Sequence, residues 1–277
     1  MLSRLQTYWN LLTTDPVSFL IYIVYLAVTV LLSLILHEIA HGYVALRCGD
    51  PTAKWMGRLS LNPAKHLDPL GTVFMLLIGV GWAKPVPVNP RNFHNGRRDD
   101  FLVSVAGICM NLTLFIFCTL LAAVVNRFLW TEDFLALFKN QYGSLQGLLN
   151  MFDSSAGGWA ASIAYGTKDT YAYYAQYHYV ANSWLFYIQR FLLLMSQINI
   201  SLAMFNLLPI PPLDGYHLVN DTLLRGRLNL NAQTFRIAQM VLLILCFSGA
   251  FSSILTTVCG AMTGAVVNVF LMMTGGA

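Results

Sequence analysis

The sequence predicts an all-α polytopic membrane protein, a single domain over residues 1–277 with about four to six transmembrane helices. Three observations predict it. Of the 277 residues, 57% are hydrophobic and 10% charged, against roughly 25% charged in soluble domains. Mean hydropathy is +0.60. Charge-free windows of about 20 residues recur, the length of helix that crosses about 30 Å of hydrocarbon.

The net charge of +4 comes without a run of lysine or arginine, so no nucleic-acid partner is expected. The five cysteines, Cys48, Cys109, Cys118, Cys246 and Cys259, are scattered and form no CxxC. They read as small buried hydrophobes rather than disulfides.

Residues 1–16 carry one arginine, Arg4, and no compact apolar core. A surface helix is expected there, not a cleaved signal peptide. Residues 17–125 hold the first two core spans. The first covers about 18–36 and ends in HEIAH (37–41); the second covers about 101–125. Between them PLGTVFMLLIGVGWA (69–83) is apolar but too short to cross. It runs into GWAKPVPVNP (81–90), where alternating prolines demand extended backbone. A re-entrant or β-hairpin-like segment is therefore expected near 70–90, tolerated at membrane depth where protein or water covers it.

Residues 126–184 form an insertion rich in tyrosine, including Tyr165, Tyr171, Tyr173, Tyr174, Tyr177 and Tyr179, as expected of a segment at a membrane interface. Residues 185–277 hold the third core span, between Arg190 and Asp214, and the C-terminal spans. After Arg236 no charged residue follows. That stretch accommodates one long span, or two with a break at Gly249 or Gly260.

Orientation follows from the basic residues. Segment 47–100 holds Arg47, Lys54, Arg58, Lys65, Lys84, Arg91, Arg97 and Arg98, whereas 126–184 holds Arg127, Lys139 and Lys168. Basic loops stay in the cytoplasm. Residues 47–100 and 215–236 are thus expected inside, and the tyrosine-rich insertion outside.

The HEIAH sequence carries the chemistry. On a helix His37 and His41 stand four positions apart, with Cβ atoms about 5–6 Å from each other, so both imidazoles can hold one metal. Glu38 points at the same site from a neighbouring angle, which suits a base acting on metal-bound water. Lone histidines in apolar faces are usually satisfied core residues. Three ionisable groups within five positions of a membrane span are different, because a charge near the bilayer centre costs about 2.5–3.5 kcal/mol on insertion scales. A zinc site also needs a third ligand and an open position. In NLLPIPPLDG (206–215), Pro209, Pro211 and Pro212 break the helix before Asp214. Asp214 is either a helix cap or the missing ligand, and a two-histidine site that lacks its third ligand favours the second.

HEIAH in one span and NLLPIPPLDG in a later one resemble the motifs of the site-2 protease family of intramembrane zinc metalloproteases. GDPTA (49–53) and WAKPVPVNP (82–90) resemble its compact bacterial and archaeal branch, which lacks PDZ and CBS domains. The resemblance implies one zinc ion on His37, His41 and Asp214, with Glu38 as the catalytic base. It implies that Asn206, eight residues before Asp214, faces the substrate or the oxyanion. Asn111, in AGICMN (106–111), occupies the place of a second family asparagine and is a further candidate for that role, although Ile108 stands where the family usually has proline. The insertion at 126–184 is foreign to the family core. His66, His94, His178 and His217 fit no ligand spacing, and His66 is expected to be structural or gating.

The expected activity is hydrolysis of a peptide bond within or near a transmembrane helix of a membrane protein substrate, in the manner of regulated intramembrane proteolysis. The expected location is a bacterial cytoplasmic membrane, with the site nearer the cytoplasmic face. The same ligands would serve a metal-binding or transport protein, though transport would favour more ionisable residues inside the other spans. A non-proteolytic binder of membrane helices is the other alternative, and Glu38 argues against it.

Overall fold

The structure, a computed structural model, describes residues 9, 12–14, 16–69, 71, 73, 84–142, 179–182, 184–224, 230–248 and 252–274. Among these the chain is helical: α1 (Pro16–Arg47), α2 (Thr52–Trp55), α3 (Gly96–Leu129), α4 (Glu132–Tyr142), α5 (Leu185–Asn206), α6 (Asp214–Thr222), α7 (Ala232–Ser248) and α8 (Ser252–Thr274). Among the described residues three segments are long and apolar enough to cross a membrane, Phe19–Arg47, Gly96–Val125 and Tyr187–Asn206. Shorter apolar stretches, Gln233–Cys246 and Thr257–Val266, lie in α7 and α8.

The helices overrun the expected spans. Helix α1 continues through HEIAH to Arg47 and stops at Gly49, whose φ of 105° is open to a residue without Cβ. There the Asp50 N–H bonds to the Ala45 carbonyl and the Gly49 N–H to the Leu46 carbonyl, the pairing that closes a helix and turns the chain sharply. Helix α5 begins before Arg190 and contains it. The charge does not end the helix because the Arg190 guanidinium lies 5.7 Å from the centre of the Tyr25 ring and is buried. Near the C-terminus Gly260 sits inside α8, and Gly249 lies outside the described residues.

Two compact units make up the chain. Unit 1 comprises Val30–Thr113 and Asn199–Ser253, and unit 2 comprises Leu2–Thr29, Leu114–Ile198 and Ile254–Ala277. In unit 1, Ile35, Ala45, Ile200 and Ala203 are among the most buried apolar residues, and the buried Asn199 amide donates to Ser33 Oγ at 2.8 Å. In unit 2, Tyr22, Leu129, Trp130, Phe134, Leu192 and Leu194 belong to one apolar cluster. There Thr119 and Ser196 share a buried hydroxyl–hydroxyl hydrogen bond of 2.6 Å.

Much of the re-entrant expectation falls on residues 70, 72 and 74–83, outside the described residues, as does 143–178 of the insertion. The insertion's ends are tied by an antiparallel bridge between Trp130 and Val180. The Thr131 N–H donates to the Tyr179 carbonyl and the Ala181 N–H to the Leu129 carbonyl, both at 2.9 Å.

Residues 84–89 belong to no helix, Asn89 at their end has extended backbone, and side chains hold much of their main chain. Arg58, itself buried, donates through Nη2 to the carbonyls of Lys84 (2.6 Å) and Pro85 (3.1 Å). The fully buried Asp50 carboxylate accepts the Asn89 N–H at 2.7 Å and the Asn92 side-chain amide at 2.8 Å. The GDPTA and WAKPVPVNP stretches are thus two halves of one clamp.

Candidate metal centre

All residues of the candidate site belong to unit 1. Successive α-helical turns put His37 and His41 on one face of α1, their ring centroids 4.6 Å apart and nearly perpendicular. Asp214 reaches them from the start of α6. It is not a cap: it is the first helical residue, and the N-cap position is Leu213, which makes no side-chain capping bond. With its oxygens unused by the helix, Asp214 Oδ2 stands 3.3 Å from Nε2 of both histidines, and those two nitrogens are 3.0 Å apart. Burial works to raise the Asp214 carboxyl, but the two imidazoles override it and hold the group well below the usual carboxylate range.

The donor set fits zinc. Ligand atoms about 2.0–2.1 Å from a tetrahedral zinc stand roughly 3.3 Å from one another, close to the spacing of these three atoms. The rings are oriented from behind: His41 Nδ1 donates to the Val103 carbonyl at 2.7 Å, which leaves Nε2 with its lone pair towards Asp214. Helix α3 also leaves room. A Cβ at Gly107 would collide with Nε2 of His41 and with Cε1 and Nε2 of His37.

The other expected residues fall in different places. Glu38 is half-buried, and its Oε2 accepts the Val86 N–H at 2.7 Å. Asn206 is the half-buried last residue of α5. Asn111 is fully buried and lies behind the His37 ring, with Nδ2 3.1 Å from Nδ1. His66 is outside the cluster; its Nε2 bonds to the Ser60 carbonyl at 2.8 Å. Sequence reasoning missed Val103, Gly107 and Val86. Val103, Gly107 and Asn111 are four residues apart along α3, a helical stripe that HEIAH alone does not announce.

A second group, Asp100, His217 and Asp221, gathers its ligand atoms within 4.8 Å of one another on the more exposed ends of α3 and α6. Burial and then the neighbouring Asp100 carboxylate push Asp221 up to about 6.

A sequence profile of peptidase family M50 matches residues 25–249. The chain belongs to peptidase family M50. It is 36% identical over 197 residues to a Bacillus subtilis protein named "Putative zinc metalloprotease YwhC", an alignment covering 71% of this chain and 68% of that one. It is 31% identical over 107 residues to "Putative zinc metalloprotease Rip2" of Mycolicibacterium smegmatis, covering 37% of this chain and 41% of the other. No solved structure matches it. As an M50 peptidase the chain is a zinc metalloendopeptidase of the site-2 type, and its apolar helices make it an integral membrane protein.

Proposed function

We propose that this M50 peptidase hydrolyses a peptide bond within or beside a transmembrane helix of a membrane protein substrate, in regulated intramembrane proteolysis. It would act from the cytoplasmic side of a bacterial cytoplasmic membrane. The observation that carries the reading is the convergence of His37, His41 and Asp214 beside Glu38 on a helix long and apolar enough to span the bilayer.

His37, His41 and Asp214 would hold one zinc ion. Zinc, when bound there, polarises the scissile carbonyl and lowers the pKa of water towards about 7. Glu38 takes a proton from the attacking water and returns it to the departing amine nitrogen. Asn206 turns its amide to the substrate or the developing oxyanion.

A helical substrate hides its carbonyls in internal hydrogen bonds, so it must unwind before attack. Residues 84–89 supply an edge for strand addition. Pro85 and Pro87 have no N–H, the Val86 and Asn89 N–H groups are given to Glu38 and Asp50, and Arg58 takes the Lys84 and Pro85 carbonyls. What is left for pairing is confined to residues 86–88.

The test compares wild type with Glu38→Gln, both zinc-loaded in liposomes, on a panel of single-span substrates. Loss of cleavage with zinc retained is expected, and cleavage at the wild-type rate would refute the mechanism. In Asp214→Ala, stoichiometric zinc at wild-type affinity would remove Asp214 from the ligand set.

A further inference from the structure

His37 and His41 present the same nitrogen, Nε2, to Asp214, yet different groups stand behind them. Behind His41 is the Val103 carbonyl, 2.7 Å from Nδ1. A carbonyl only accepts, so the ring carries its proton on Nδ1 and its Nε2 lone pair faces the cluster. Behind His37 is the side-chain amide of Asn111, which can accept through Oδ1 or donate through Nδ2. With Nδ2 towards the ring, Nδ1 must be the acceptor. The neutral ring then carries its proton on Nε2 and aims it at His41 and Asp214, where a metal ligand needs a lone pair.

Among the described residues no other hydrogen bond holds the amide that way. Oδ1 is buried and has no hydrogen-bond partner among the described residues. A half-turn about Cβ–Cγ exchanges the two atoms without moving the backbone. It puts Oδ1 in reach of an Nδ1–H on His37 and gives the two histidines matching tautomers.

We propose that Asn111 is a positioning residue of the metal centre: its side-chain oxygen accepts the Nδ1–H of His37 and keeps the Nε2 lone pair directed at Asp214 and His41. This rests on the reading that His37, His41 and Asp214 hold the zinc. It gives Asn111 work on the first ligand rather than on the substrate or oxyanion, since His37 stands between it and the cluster.

The acceptor role separates two substitutions of similar size. Asn111→Asp keeps an oxygen that can only accept, and Asn111→Leu keeps the bulk and removes the acceptor. Zinc affinity is measured on the full chain in detergent, by competition with a chromophoric chelator at fixed pH. Loss of the hydrogen-bond partner behind a ligating histidine costs roughly 10–100-fold in metal affinity, so Asn111→Leu is expected to bind zinc that much more weakly. Asn111→Asp is expected within a few-fold of wild type. Wild-type affinity in Asn111→Leu overturns the proposal, as does a folded Asn111→Asp that binds as weakly as Asn111→Leu.

A second readout needs no buried carboxylate. In zinc-loaded protein with 15N-labelled histidine, the His37 Nδ1 proton is expected to resonate downfield and to move upfield in Asn111→Leu. An unmoved resonance overturns the proposal. Asp214→Ala, run in parallel, isolates the underlying reading. If it binds zinc as tightly as wild type, the ligand set is wrong; if it loses zinc while Asn111→Leu does not, only the role of Asn111 fails.

Discussion

Glu38 Oε2 accepts a hydrogen bond from the backbone N–H of Val86 at 2.7 Å, joining residues 48 apart in sequence. A free carboxylate on a helix samples several rotamers; this one is held by the backbone of the 84–89 segment. That segment is fixed in turn by Asp50, which accepts from the backbone and hydroxyl of Thr52, the backbone of Asn89 and the side chain of Asn92. Asp50→Ala removes a buried charged acceptor and leaves four donors unmet. It is expected to cost about 2–4 kcal/mol of stability. If the 84–89 segment positions Glu38, the folded variant keeps stoichiometric zinc but loses turnover. Unfolding in detergent, zinc content and cleavage rate check this together, and unchanged turnover would detach the clamp from catalysis.

Gly107 is the place where α3 comes closest to the ligand atoms. A methyl group there would meet Nε2 of both His37 and His41. Overpacking of this kind costs about 1–3 kcal/mol, so Gly107→Ala is expected to weaken zinc binding by about 10–100-fold. Helix propensity alone favours alanine over glycine. A variant that is more helical, with zinc affinity intact, would show that the backbone has room to move.

The helical class and the two site motifs were legible in the sequence because lipid imposes long apolar runs and because HExxH fixes its ligands by helical spacing. Asp214 was legible as a candidate, but proline and aspartate at a helix start fit a cap equally well; the N-cap falls on Leu213, so Asp214 is not the cap. Arg190 misled the third span, since a charge reads as a boundary until its aromatic cover is known. Val86 and Val103 act through the main chain, whose donors and acceptors are the same in every residue type, so no side-chain pattern marks them. His217 was set aside for its spacing, yet α6 brings it to Asp100 and Asp221.

In unit 2 the Thr119 and Ser196 hydroxyls meet at 2.6 Å in a buried apolar setting, and Thr119 also bonds the Phe115 carbonyl. Polar contacts between membrane helices measure about 0.6 kcal/mol on average, because the separated helices find other partners. A double-mutant cycle of Thr119→Val and Ser196→Ala is expected to give a coupling near that value. A coupling of zero would assign each hydroxyl to its own helix.

Asp221 supplies a pH dependence that can be read apart from the metal. Burial and the Asp100 carboxylate push it up to about 6, against the opposing pull of His217 and Arg97; a free aspartate titrates near ~3.9. The folded protein therefore holds this proton more tightly than the unfolded chain. The resulting contribution to stability is complete below about 4 and is lost as pH rises through about 6. Asp221→Asn cannot ionise and carries no such term. The comparison is between variant and parent, so that the ionisable groups common to both cancel. The difference in Tm, variant minus parent, is expected to grow as pH rises from 5 to 7 in detergent. A difference independent of pH would mean that Asp221 titrates as a free carboxylate, beyond the reach of Asp100.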